Sequence, residues 1–297
     1  MKKIVNKLSG LSLTKIETDI KGDAFEYFIQ KYNSGNKDLG EYFTPRHIVN
    51  FMVKTLNPKY GEKIYDPFCG TGGMLIASFK HIYSTLEQQN YLTDSVLNSL
   101  KRETLYGSEL SSNSKIAKMN MILTGDGHNN IVRQNTLESD LTSKYNVVVT
   151  NIPFSQEGVN PGQFPVKSNK GDSQCIQHAV LSLKKNPSSR GMIIVPEGVL
   201  NNKELKETRD WLIRNNYLKG IISLPSGVFL PYTDTKTSIL CVSAKESYVN
   251  EDIFFYKVKN DGYTLTSRRR KKEGINDFDE FMSFNPFEPE FFDRNLE

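Results

Sequence analysis

Cysteine is scarce in this chain: three residues in 297, Cys69, Cys175 and Cys241, far apart and with no second Cys or His at metal-ligand spacing. A disulfide framework and a zinc signature are therefore not suggested, and a reducing cytoplasm is the simplest setting. Long apolar runs are missing too. Residues 1–18 mix Lys, Ser and Thr with isolated Leu and Ile, which is not a signal-peptide pattern. No stretch approaches the roughly 20 apolar residues that a membrane-spanning helix needs. A dominant charge is also lacking: 38 basic and 34 acidic residues leave a net +4, compatible with a nucleic-acid partner without demanding one. No internal repeat or low-complexity segment interrupts the chain, and its length and 37% hydrophobic content suffice for a large core.

What is present is an alternation of two periodicities. Residues 16–32 carry apolar positions at helical spacing and lead into a polar, Gly-containing loop over 33–40. A second helix is expected with Thr44 as N-cap and Pro45 at its first position, stopping at Asn57 and Pro58. From Gly61 onward, short apolar segments at 63–65, 104–106, 131–133, 146–150, 192–195, 218–223 and 238–242 alternate with amphipathic ones at 73–83, 113–123, 175–184 and 203–215. This order predicts an α/β fold, a doubly wound, mostly parallel sheet with helices on both faces. Such sheets bind ligands beyond the C-terminal ends of their strands, so the residues closing each strand carry the chemistry. We divide the chain into a helical lead-in (1–40), a catalytic domain (41–245) and a C-terminal strand at 253–258 followed by a peripheral tail (246–297).

Three strand ends stand out. The stretch 64–73, IYDPFCGTGG, runs from a strand into a Gly-rich turn and a helix. Gly70, Gly72 and Gly73 allow positive φ and close approach of a ligand to the backbone. No Lys-Ser or Lys-Thr pair follows, as a phosphate loop needs, and Leu75 stands where a dinucleotide fingerprint needs its third glycine. What remains is a loop with Thr71 at its tip and an acid, Asp66, suited to a ligand carrying an amino group or positive charge; a plain tight turn is the bland reading. Glu109 closes the next apolar segment, where a carboxylate accepts ribose hydroxyls or else caps the following helix. The stretch 147–154, VVVTNIPF, delivers the amide of Asn151, the backbone of Ile152, a turn at Pro153 and the ring of Phe154 to the same sheet edge. An amide oxygen and a neighbouring carbonyl can accept both hydrogens of a planar amino group while an aromatic ring stacks on its base. An ordinary turn with a core Phe is the alternative.

Together these residues resemble the N6-adenine DNA methyltransferases, specifically the methylase subunit of type I restriction-modification systems, over roughly 21–245. Residues 40–46, GEYFTPR, look like the N-terminal cofactor motif, 66–73 like the Gly-rich loop, Glu109 like the ribose ligand, and 151–154 like the catalytic turn, with Ile152 in place of its first proline. Segments 177–183, 193–200 and 223–229 also look like that subunit. The resemblance implies a seven-stranded sheet with a final antiparallel strand near 238–242. It also implies S-adenosylmethionine as cofactor, with Glu41, Tyr42, Phe43, Thr44, Pro45 and Arg46 at its methionine end and Thr71, Gly72 and Gly73 beneath it. Glu109 would hold its ribose and Asn135 would lie near its adenine ring.

The implied reaction is methyl transfer to N6 of an adenine extruded from double-stranded DNA, with no metal required. The implied partners are a separate specificity subunit and a restriction subunit. Two other readings compete: an inactive cofactor-binding scaffold, and an amide methyltransferase acting on protein. His47, His81, His128 and His178 show no partners at nucleophile or metal spacing, and Asp126 lies in a turn-rich segment. The basic run 268–272 is either a phosphate contact or a solvated face.

Overall fold

The longest described helix on the sheet is built on an apolar stripe, and the central strands Ile64–Asp66, Val147–Asn151, Arg190–Pro196 and Thr237–Ser243 are buried along nearly all of their length. The computed structural model describes residues 43–125, 130–244, 252–266, 269–274, 276–282 and 287. The helix expected over 16–32, together with Glu41, Tyr42, Asp126, His128 and Arg268, lies outside the described residues.

Helix α1 (Arg46–Leu56) buries Ile48, Val49, Met52, Val53 and Leu56 and stops at Asn57, whose left-handed backbone closes the last turn. Its N-cap is Pro45, not Thr44, because the Thr44 hydroxyl is turned to a partner on another strand. Strand β1 (Ile64–Asp66) leads through the Gly-rich turn to α2 (Gly73–Gln88), whose buried Leu75, Ile76, Phe79, Ile82 and Leu86 recur at three- and four-residue intervals. Helix α3 (Asp94–Glu103) was not legible in the sequence. Only Val96 and Leu100 are buried in it, too few to mark a stripe, and it is announced mainly by the Thr93 hydroxyl accepting from Val96 N–H. Then follow β2 (Leu105–Glu109), α4 (Asn113–Thr124), β3 (Ile131–Arg133), β4 (Val147–Asn151), α5 (Gly171–Leu181), β5 (Arg190–Pro196), the short α6 (Gly198–Asn201), α7 (Lys206–Arg214), β6 (Leu218–Ser223), β7 (Thr237–Ser243), β8 (Phe254–Lys257) and α8 (Asp277–Met282).

The strands form one sheet in the order β3-β2-β1-β4-β5-β7-β6-β8. All neighbours pair in parallel except β7, which runs antiparallel to both β5 and β6. The expected antiparallel strand is therefore present, and β8 adds an eighth strand beside β6 to the seven of the resemblance. Two cores flank the sheet: α1, α2 and α8 pack on one face around Phe51, Leu75 and Ile222, and α5 and α7 on the other around Val148, Ile176 and Leu240. The chain reverses its winding between β1 and β4, which opens a crevice at their C-terminal ends.

The aromatic, Pro-containing tail suggests a peripheral arm, yet its described helix α8 packs inward. Phe278 and Phe281 are buried, and Phe278 stacks on Phe51 of α1 with ring centroids 4.2 Å apart. The basic run also departs from both of its readings at Arg269. That guanidinium turns inward to Asp261, which is 1% exposed, and Asp261 Oδ2 also pairs with His47 Nε2 at 2.9 Å.

One long-range staple fixes α1 against the sheet. Arg190, at the start of β5, donates to the carbonyls of Leu56 and Asn57 at the end of α1 and makes a two-pronged ion pair with Glu62 at 2.8 and 3.1 Å. Its side chain is only 12% exposed, so water cannot replace these contacts cheaply. Arg190→Ala is expected to destabilise the fold by ~2–3 kcal/mol in urea titration. A midpoint within error of the parent would show that the staple contributes nothing.

Candidate active site

The C-terminal ends of β1, β2 and β4 converge on one cavity. Its walls include Phe43, Thr44 and Arg46 from the lead into α1, Asp66, Thr71 and Gly73 from the first strand end, Glu109 from the second, Asn135, and Asn151, Ile152 and Pro153 from β4 and its turn. Eleven of the expected site residues thus meet around one space, although they are scattered from position 43 to position 153. Tyr42 and Glu41 lie outside the described residues. Phe154 is half-buried just beyond the lining and packs edge-on against Phe229, with centroids 6.4 Å apart.

The Gly-rich turn is held from three sides. Gly70 and Gly72 have φ of 52° and 87°, and Gly72 serves as the left-handed N-cap of α2. Glu109 Oε2 accepts from Gly70 N–H at 3.1 Å, while Oε1 accepts from Ser111 N–H at 2.8 Å. A carboxylate has about four lone-pair positions, so both oxygens keep acceptor capacity facing the cavity. The Thr71 carbonyl accepts from Asn120 Nδ2 on α4 at 2.9 Å, and the Thr136 hydroxyl donates to the Pro67 carbonyl at 2.6 Å. Asn120 was missed in the sequence because a polar residue inside a helix looks solvated until the fold turns it inward. Asn135 caps its own turn, its Oδ1 accepting from Leu137 N–H at 3.2 Å, while the residue still borders the cavity.

Asp66 is the strained member. It is 2% exposed, and its Oδ1 accepts from the Thr150 hydroxyl at 2.6 Å and from Phe68 N–H at 3.1 Å. Burial nevertheless pushes its carboxyl up to about 7; the Thr150 and Phe68 hydrogen bonds pull the other way, and the Glu109 charge adds to the rise.

Asn151 is oriented by a residue 107 positions earlier in the chain. Its Nδ2 donates to Thr44 Oγ1 at 3.1 Å, which fixes the amide. Its Oδ1 is buried and has no hydrogen-bond partner. A buried, unmet acceptor is costly, roughly 1–3 kcal/mol, unless a ligand supplies the donor. Next to it, Ile152 is 2% exposed and its N–H is spent on the Ile194 carbonyl at 3.2 Å. Gln156 and Cys175 also border the cavity; neither was foreseen, since Gln156 follows the turn in a loop and Cys175 reads as a core residue of α5. The described histidines take no part: His47 pairs with Asp261, His81 bonds Asn57, and burial lowers His178 to about 4. Among the described residues, no group of three or more His, Cys, Asp or Glu is placed to hold a metal, and no helix is long and apolar enough to cross a membrane.

Comparison with known proteins identifies the family. The profile of the N-6 DNA Methylase family matches residues 16–285. The methylase subunit of the type I restriction enzyme EcoEI from Escherichia coli is 29% identical over 86% of this chain and 53% of its own length. That of EcoKI from E. coli K12 is 31% identical over 74% of this chain and 43% of its own. The chain thus spans about half the length of these curated relatives. Among solved structures, the methyltransferase subunit of a type I restriction-modification system from Streptococcus thermophilus superposes with a TM-score of 0.75 at 20% identity, covering 95% of this chain and 60% of that one.

Proposed function

The chain belongs to the N-6 DNA methylase family, and we propose that it is the catalytic core of an adenine-N6 DNA methyltransferase that uses S-adenosylmethionine. The observation that carries this reading is the buried Oδ1 of Asn151, held in place through Thr44 and left without a donor. The exocyclic amino group of adenine supplies that donor. Its second hydrogen goes to the Ile152 carbonyl, which isoleucine offers as well as proline does, and Pro153 biases residue 152 toward the extended backbone this requires.

Accepting both hydrogens raises electron density on N6 and stabilises the positive charge it develops as it gains a methyl group. Phe154 then holds the base, which must leave the duplex because N6 is otherwise enclosed in the stack. When bound, S-adenosylmethionine supplies the electrophilic methyl group. The residues present fit it: Glu109 keeps free lone pairs for ribose hydroxyls, the positive-φ turn at Gly70 and Gly72 leaves the backbone open, and Asn135 borders the same cavity. Glu41, Tyr42, Phe43, Pro45 and Arg46 would complete the methionine end.

Relatives named as methylase subunits of type I restriction enzymes support a wider reading. We read this chain as the modification part of such a system, acting on double-stranded DNA with a separate specificity subunit and alongside a restriction subunit. The test is the N6-methyladenine content of DNA from a methylation-free bacterial host that expresses the chain with its specificity subunit. A site-specific mark is expected. Cofactor binding by titration without any mark would instead favour the inactive scaffold, and methyl transfer to protein glutamine would favour the amide methyltransferase.

A further inference from the structure

Residue 155 follows the stacking ring directly, and its backbone sits at φ 55°, in the left-handed region. That conformation costs a residue with a Cβ about 1 kcal/mol or more, so a contact outside the turn must hold it. The contact comes from the N-terminal turn of α5. Ser155 N–H donates to Asp172 Oδ1 at 3.1 Å. Beside it, Gly171 N–H donates to the Gln156 carbonyl at 3.0 Å, and a Cβ at position 171 would stand 2.5 Å from that same oxygen. Only glycine lets helix and turn approach so closely. Beyond this grip the outgoing chain is zipped back on itself: the backbones of Glu157 and Lys170 form an antiparallel β-bridge, Gly158 N–H donates to the Asn169 carbonyl at 2.9 Å, and Val159 N–H donates to Gln174 Oε1 at 2.8 Å.

The two gripped residues adjoin the chemistry on both sides, since Ser155 follows Phe154 and Gln156 lines the cavity. We propose that Asp172 is a positioning residue for methyl transfer: by holding Ser155 in the left-handed region it sets the direction in which Phe154 and Gln156 leave the turn, and so the seat of the extruded base. This rests on reading residues 151–154 as the catalytic turn. Asn at 172 keeps an oxygen able to accept from Ser155, whereas Ala does not. Ser155→Gly removes the conformational penalty and with it the need for the hydrogen bond.

The experiment measures methyl-transfer kinetics on unmethylated DNA, with the chain assembled with its specificity subunit, and follows cofactor affinity and thermal midpoint on the same preparations. Asp172→Ala is expected to lower kcat roughly 10- to 100-fold, the scale of an ångström-sized misplacement. Cofactor affinity should stay within about twofold and Asp172→Asn within about threefold of the parent, and Ser155→Gly should recover most of the loss in the Asp172→Ala background. Rescue of this kind distinguishes positioning from mere support of the fold. If Asp172→Ala fails to fold, Gly171→Ala displaces the same turn from the other side and should show the same loss of kcat. An active parent with unchanged kcat in whichever of these two variants folds, or equal losses in Asp172→Ala and Asp172→Asn, overturns the positioning role alone. A folded parent that binds cofactor and transfers nothing overturns the catalytic-turn reading, and this proposal with it.

Discussion

Asn151→Ala is expected to lower methyl transfer by roughly a thousandfold, the scale on which a single preorganised hydrogen-bond partner at a developing charge acts. On the proposed reading, cofactor affinity should stay within about twofold, because the lost acceptor would face the adenine amino group and not the cofactor turn. The reasoning starts from an imbalance in the free protein: Nδ2 of Asn151 is used, whereas Oδ1 is enclosed and unused. Folding has therefore left a buried acceptor unmet, and binding the base relieves that penalty. Since the acceptor matters most as charge grows on N6, kcat and kcat/KM should fall together. Thr44→Val, which frees the amide to rotate while keeping its size, should give a smaller loss of about tenfold. Transfer at the parent rate in Asn151→Ala would remove that residue from the reaction, whatever the status of the remaining site.

The second large effect concerns stability against pH. The folded chain raises the Asp66 carboxyl from an ordinary 3.8 to about 7, so it keeps a proton that the unfolded chain has already released across that interval. A group bound more tightly to its proton in the folded state makes stability fall as pH rises: the contribution is intact below pH ~4, declines up to pH ~7, and stays lost above it, at a scale of ~4 kcal/mol. Asp66→Asn keeps an oxygen for the Thr150 hydroxyl and Phe68 N–H but cannot ionise. At pH 8 the unliganded variant should be the more stable protein by up to this amount, with the difference shrinking toward pH 4. Parallel stability curves for the two proteins over that range would mean that Asp66 ionises freely in the folded state. The buried acid is then a stability burden tolerated at the ligand cavity, as strained groups at functional sites commonly are.

Which features could be read beforehand follows from how locally they are encoded. Asp66, Glu109 and Asn151 each close a short strand that is mostly buried, so strand, strand end and cavity position are written within a few neighbours. Gly70 and Gly72 are legible for the same reason. Contacts that join distant segments leave no such trace: Thr44 looks like a helix cap until Asn151 claims it, and Arg190 looks like a surface cation until α1 ends beside it. The raised pKa of Asp66 likewise depends on burial, which no local pattern reports. Asp172 reads as an ordinary first-turn acid of α5, although its partner is the residue after Phe154. The tail misled because its two buried rings, Phe278 and Phe281, sit among charged residues, so only the three-residue interval between them betrays an inward face.

That interval has a practical consequence for anyone dissecting the molecule. Phe51 of the first described helix lies between Phe278 and Phe281 of the last, and Phe254 of β8 adjoins Phe281. A fragment trimmed at position 245, where the catalytic motifs run out, would retain every strand-end residue of the cavity. It would also expose an aromatic face on α1 and leave β6 as a raw hydrogen-bonding edge, an invitation to aggregate. The cooperative unit is thus longer than the chemical one, and limited proteolysis should find no stable intermediate that ends between them.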